Sequence, residues 1–67
     1  MISELDLHGK KHEEIDRLVE NFVLLNTPPL RIITGNSHKM KNLVEKVLKR
    51  HKFDWENLKS SQILILK

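Results

Sequence analysis

The chain has 67 residues and no cysteine, which is the size of one small domain and excludes disulfide frameworks and thiolate zinc sites. Hydrophobic residues make up 39% and charged residues 31%, a composition typical of globular proteins, and no apolar run approaches the length of a membrane span. The first residues lack the pattern of a signal peptide. We therefore expect a single domain over residues 1–67, cytoplasmic and without a membrane partner.

The positive charge is concentrated in one segment. The net charge is +3, yet residues 1–37 carry four Lys or Arg against six Asp or Glu. Residues 38–52 carry six Lys or Arg against Glu45 alone. Such a basic segment is the footprint expected of a surface that binds a polyanion, although a solvated helix face would show the same pattern.

The first predicted element is a strand over residues 4–8, in which two leucines alternate with polar residues. Alternate side chains of a strand share a face, so Asp6 and His8 are predicted to point the same way. Gly9 is predicted to end the strand in a tight turn. A carboxylate beside a titratable base at a strand end is a common place for chemistry, but a solvated strand face would look the same.

Two amphipathic helices flank a second, apolar strand. Apolar residues recur at three- and four-residue spacing over about residues 11–25 and again over about 38–51. Between them, residues 30–34 contain two isoleucines and are bounded by a proline and a glycine, which predicts a buried strand. Ser37 is the predicted N-cap of the second helix.

The rest of the chain predicts two more strands. Phe53, Trp55 and Leu58 suggest a short third strand, residues 57–61 a turn, and residues 62–66 a last strand. The resulting order is β-α-β-α-β-β, and right-handed crossovers place both helices on one face of the sheet. We therefore predict an α/β (α+β) two-layer sandwich.

The turns after the first two strands are predicted to open at the same edge of the sheet, because those strands are parallel. Thr34-Gly35-Asn36-Ser37 precedes a helix whose first N–H groups lack intrahelical partners, and such helix starts bind anions. Lys39 and Lys41 lie in the first turn of that helix, where a cation costs roughly 0.3–1 kcal/mol. A phosphate at this place would offset that cost.

A metal site is only weakly indicated. Asp6, His8 and His38 are N and O ligands that the shared edge could gather, but a structural zinc site needs four good ligands. We predict no obligatory metal. Phe53 and Trp55 are able to stack on bases. Because the chain has so few aromatic residues, we interpret both as anchors of the hydrophobic core.

The sequence Leu5-Asp6-Leu7-His8-Gly9, followed by an amphipathic helix, resembles the Smr (small MutS-related) domain, whose first strand carries an L-D-x-H-G motif. Arg31-Ile32-Ile33-Thr34-Gly35-Asn36 resembles the second motif of that family, an H/T-G-x-G turn. Ser37 stands where the family has its second glycine, and residues 57–61 stand where members commonly have a glycine-rich loop. The resemblance extends over about residues 3–66.

This resemblance implies a fold like the C-terminal domain of translation initiation factor three. It also implies binding to DNA or RNA and, in several members, nicking or endonuclease activity. Asp6 and His8 would be the catalytic pair, and the turn after the second strand would face the substrate. The resemblance and the anion site predicted at the start of the second helix together predict a set of nucleic-acid contacts. These are Gly9, Lys10, Thr34, Gly35, Asn36, Ser37, His38, Lys39 and Lys41.

The leading hypothesis is a small endonuclease in which His8 shuttles a proton and Asp6 orients its ring. The backbone donors of the turn and a lysine would stabilise charge on the phosphoryl oxygens. RNA supplies its own 2′-OH nucleophile and requires no metal, whereas DNA requires attack by water and favours Mg²⁺ at Asp6. The alternatives are a non-catalytic nucleic-acid-binding module and a protein-interaction adaptor with a structural Asp-His pair.

Overall fold

The computed structural model describes residues 2–59 and 61–67. Within them the chain forms one α+β domain, and no helix there is long and apolar enough to cross a membrane. The elements follow the predicted order: β1 (Ser3–Asp6), α1 (His12–Leu25), β2 (Leu30–Ile33), α2 (His38–Arg50), β3 (Trp55–Leu58) and β4 (Gln62–Ile65).

The four strands form a mixed sheet in the order β1-β2-β4-β3. β1 is parallel to β2, while β4 is antiparallel to both β2 and β3. The last residues of β1, β2 and β3 therefore meet the first residue of β4 at one end of the sheet. We call this end the site edge, and it is defined by Asp6, Ile33, Leu58 and Gln62.

Both helices cover the same face of the sheet, as predicted. Leu30 and Ile32 in β2 lie opposite Ile65 and Ile63 in β4, and all four side chains are fully buried. Each such burial contributes about 1.5–3 kcal/mol. The same cluster contains Leu7 and the buried helix residues Ile15, Val19, Val23, Met40, Val44, Val47 and Leu48.

The three Phe and Trp side chains of the chain pack against this core. Phe22, Phe53 and Trp55 are partly buried and pack against the cluster. The interpretation of Phe53 and Trp55 as core anchors is therefore confirmed. Their packing against the cluster stabilises the sandwich.

The first strand is shorter than predicted. β1 ends at Asp6, because the chain turns directly afterwards: the N–H of Lys10 donates to the carbonyl of Leu7 at 3.0 Å, and Gly9 has a φ of +81°. His8 therefore lies in a turn. The prediction that Asp6 and His8 share a strand face is wrong.

The third strand starts after Phe53, ends at Leu58, and overlaps the turn predicted over residues 57–61. Asn57 and Leu58 pair with Ile63 and Gln62, so they belong to β3 and not to the turn predicted over residues 57–61. Half of the β3 side chains are exposed, so the spacing of apolar residues does not show clearly where this strand ends. Ser60, in the predicted turn, lies outside the described residues.

Candidate functional site

Two loops meet at the site edge, residues 7–11 after β1 and residues 34–37 after β2. The N–H of Leu7 donates to the carbonyl of Ile33 at 2.8 Å, which joins the loops at their base. The imidazole of His8 then lies against Gly35, with its Cδ2 atom 3.9 Å from the position that a Cβ on Gly35 would take. Gly35 itself has a φ of +71°, a conformation that favours glycine. The two loops that carry the sequence motifs are thus adjacent.

The carboxylate of Asp6 binds the main chain of the first loop. Its Oδ1 atom accepts a hydrogen bond from the backbone N–H of His8 at 2.9 Å, the pattern of an Asx turn. This contact differs from the hypothesis, in which Asp6 orients the imidazole ring. Both side chains are exposed, and Oδ2 of Asp6 has no protein partner among the described residues. Asp6 therefore positions His8 through the backbone and presents one carboxylate oxygen outward.

Thr34 fixes the second loop to the start of β4. Only 2% of Thr34 is exposed, and its N–H donates to the carbonyl of Ser61 at 2.8 Å. Its hydroxyl is 3.2 Å from the same carbonyl and 3.1 Å from that of Gly35. The side chain of Thr34 is therefore turned inward, whereas the neighbouring Asn36, also predicted to face the substrate, is exposed.

Ser61 lies at the site edge through its contact with Thr34, and the sequence predictions did not include it. The turn predicted before the last strand could have indicated it. Antiparallel pairing of β4 with β2 brings the start of β4 to the site edge. Lys59, in the same turn, was missed for the same reason and is exposed.

Ser37 caps α2 as predicted. Its Oγ atom accepts a hydrogen bond from the N–H of Met40 at 3.1 Å. Its φ of −91° is one that any L-residue adopts, so the backbone at this position does not require glycine. The N–H groups of His38 and Lys39, at the start of the helix, have no partner within it and remain available to an anion.

Basic residues lie in the first loop and in the first turn of α2, directly after the second loop. Lys10, His38 and Lys39 are exposed, and Lys41 is half-buried. A shallow cleft begins directly after Gly9 and is lined by Lys10, Lys11, His12 and Glu13. The site edge therefore combines one outward carboxylate oxygen, imidazoles and ammonium groups, a set of groups suited to a phosphate ester.

The described residues contain no group of three or more His, Asp and Glu side chains placed to hold a metal ion. The trio considered from the sequence, Asp6, His8 and His38, is therefore not gathered into such a group. A metal at this edge would have to take further ligands from its substrate or from water.

Comparison with known proteins gives no relative: no family model, no curated protein and no solved structure matches this chain. The function is therefore inferred from the residues at the site edge and from the two sequence motifs.

Proposed function

We propose that this chain is an Smr-like domain that binds nucleic acid and cleaves its phosphodiester bonds. The observation that carries the proposal is the placement of the His8 ring beside Gly35 at the site edge. It joins the two motifs that resemble the Smr family, and it puts an exposed imidazole beside a helix start able to bind an anion.

His8 is the proposed proton-transfer group, because histidine changes its charge near neutral pH. The N–H groups of His38 and Lys39, with the Lys39 ammonium, would hold the phosphoryl oxygens. On RNA, His8 takes the proton of the 2′-OH, whose oxygen attacks the adjacent phosphorus. The bond from phosphorus to the 5′-oxygen then breaks, which leaves a 2′,3′-cyclic phosphate, and the 5′-oxygen takes the proton that His8 carries.

On DNA, a water molecule must attack in place of the 2′-OH. The chain offers His8 to accept the proton of that water and the outward oxygen of Asp6 as one ligand for Mg²⁺. The remaining ligands would be phosphate oxygens and water, as is usual for this ion.

A second candidate is a nucleic-acid-binding module without catalysis. The hydrogen bond of Asp6 to the main chain favours it, because no carboxylate in the described part of the chain orients the imidazole of His8, as one often does for a catalytic histidine. This module would use the same cations and helix start for binding.

Cleavage assays separate the two candidates. Labelled single-stranded RNA, duplex DNA and branched DNA are each incubated with the protein, once with Mg²⁺ and once with EDTA. We expect cleavage of at least one substrate, a loss of about 100-fold or more in His8→Ala, and unchanged binding by that variant.

His51→Ala is the control, since His51 is the C-cap residue of α2 and lies at the end of that helix away from the site edge. It is expected to retain cleavage. Binding without cleavage on every substrate would favour the non-catalytic module, and absence of binding would overturn both candidates.

A further inference from the structure

The outer face of α2 carries a row of exposed polar side chains. These are Lys39, Asn42, Lys46 and Lys49, which we call the α2 ridge. Because their spacing is three or four residues, they lie along one side of the helix. The row begins beside the site edge and continues for about 15 Å, at 1.5 Å per residue.

Two side chains at the end of α2 contact acids of α1. Arg50 donates to Asp16 at 2.8 Å, and Nε2 of His51 lies 3.0 Å from Oε2 of Glu20. By contrast, the ridge lysines form no ion pair with any acid in the described part of the chain. The acids of α1 thus contact the end of α2 and leave the ridge positive.

The far half of the ridge borders a shallow cleft that is also positive. Asn42, Lys46 and Lys49 line this cleft together with Glu45. The carboxylate of Glu45 is engaged by β3, since Nδ2 of Asn57 donates to its Oε2 atom at 3.4 Å. The two lysines therefore outweigh the single acid there.

We propose that the α2 ridge binds the sugar-phosphate backbone of a nucleic acid whose reactive phosphate lies at the site edge. The reactive phosphate rests on the proposed function, whereas the backbone contact rests on the charge of the ridge. One strand of a duplex rises roughly 3.4 Å per nucleotide along the helix axis, so the ridge of about 15 Å has the length of about four nucleotide steps along that axis.

The chemistry of the ridge also sets how the ligand is recognised. It offers ammonium and amide groups, while the aromatic rings of Phe22, Phe53 and Trp55 pack against the core. Contacts to phosphates carry no sequence information, and stacking on aromatic rings is the usual means of gripping unpaired bases. The ridge therefore binds backbone without base preference.

The test is the salt dependence of binding, measured in EDTA on a duplex of about 20 base pairs and on a single strand of the same length. The variant Lys46→Ala/Lys49→Ala removes two charges of the ridge and leaves the site edge intact. If both lysines contact phosphates, the slope of log affinity against log salt falls in magnitude by about 1.4–1.8.

The matched control is Arg17→Ala/Lys67→Ala, which removes two positive charges elsewhere. The Arg17 side chain is 71% exposed on α1, and Lys67 follows β4. This control is expected to change the slope by less than half as much. Lys46→Gln/Lys49→Gln repeats the test with longer side chains, so a folding defect in the alanine variant does not decide the result.

Equal changes in the ridge variant and in the control would overturn the ridge proposal. So would tighter binding to anionic phospholipid vesicles than to nucleic acid. If the protein binds with the expected slopes but cleaves nothing, the ridge stands and the nuclease falls. If it cleaves while the ridge variant keeps the wild-type slope and KM, the nuclease stands and the ridge falls.

Discussion

The backbone N–H of Phe53 donates to the carbonyl of Leu48 at 2.9 Å and closes the end of α2 as a Schellman motif. Inside the motif, the N–H of Lys52 donates to the carbonyl of Lys49 at 3.1 Å, and Lys52 has a φ of +59°. Glycine usually occupies this left-handed position, because a Cβ there costs about 1–2 kcal/mol. The chain therefore carries backbone strain at Lys52.

Lys52→Gly is expected to raise the free energy of unfolding by up to about 1 kcal/mol. Relief of the strain exceeds the added entropy of glycine in the unfolded chain, which is roughly 0.4–1 kcal/mol. Urea denaturation followed by circular dichroism measures the difference. Lys52→Ala keeps the Cβ and should change stability by less than about 0.5 kcal/mol. Equal stabilisation by both substitutions would show that the strain is not its source.

Gly35→Ala and Gly9→Ala are expected to destabilise the protein by similar amounts, about 1–2 kcal/mol each. Both glycines have a positive φ, +71° and +81°, while an added Cβ meets only ordinary contact at Gly35 and open space at Gly9. Gly35→Asn should cost less than Gly35→Ala, because asparagine tolerates the left-handed region. Thermal unfolding of the three variants checks this order, and an Asn variant less stable than the Ala variant would contradict it.

Stability in acid should depend on the pair between Arg50 and Asp16. The hydrogen bond from Arg50, with its charge, holds the pKa of Asp16 below its ordinary value of 3.8. A carboxyl group with a lowered pKa stabilises the fold above its unfolded pKa and loses that contribution as the pH falls through its folded pKa. The deficit in Tm of Arg50→Met against the wild type should therefore be largest at neutral pH and shrink below about pH 4.

Thermal melts from neutral pH to about pH 2.5 measure that deficit. Arg17→Met serves as control, since Arg17 lies 4.0 Å from Glu14 in an exposed pair and should show little deficit at any pH. A deficit for Arg50→Met that stays constant across the whole range would contradict the assignment.

The fold was largely predictable because its helices have long apolar patterns and its two β-α-β crossovers have only one common handedness. The end of β1 was not. Leu7 is fully buried, so the alternation begun by Leu5 continues past the last strand residue, Asp6. Burial depends on contact with the core, whereas a strand is defined by backbone pairing. At this turn Leu7 is still buried although the strand has already ended.

The position of the site at one edge of the sheet was predictable, but the contacts between its side chains were not. Parallel β1 and β2 bring His8 and Gly35 to one edge whatever their side chains do. An aspartate two residues before a histidine is compatible with a contact to the ring and with an Asx turn, and only the folded loop decides between them. The contact of Thr34 with Ser61 depends on the register of β2 and β4, which the sequence leaves open.

The role of Asp6 can be resolved by two substitutions that differ in charge and shape. Asp6→Asn keeps an oxygen able to accept the N–H of His8, but it removes the negative charge. Asp6→Ala removes both. If Asp6 acts only by positioning His8, Asp6→Asn should retain cleavage within about threefold, whereas Asp6→Ala should lose about tenfold or more in kcat with little change in KM.

Cleavage of RNA and of DNA, each with Mg²⁺ and with EDTA, distinguishes positioning from metal binding. A carboxylate that holds Mg²⁺ cannot be replaced by an amide without weakening the site, because ionised oxygens are the preferred ligands. One outcome is that Asp6→Asn loses Mg²⁺-dependent cleavage and recovers part of it at higher Mg²⁺ concentration. That result would show that the outward oxygen of Asp6 binds the metal. Retention of cleavage would leave the hydrogen bond to His8 as the function of Asp6, and equal loss in both variants without Mg²⁺ would contradict it.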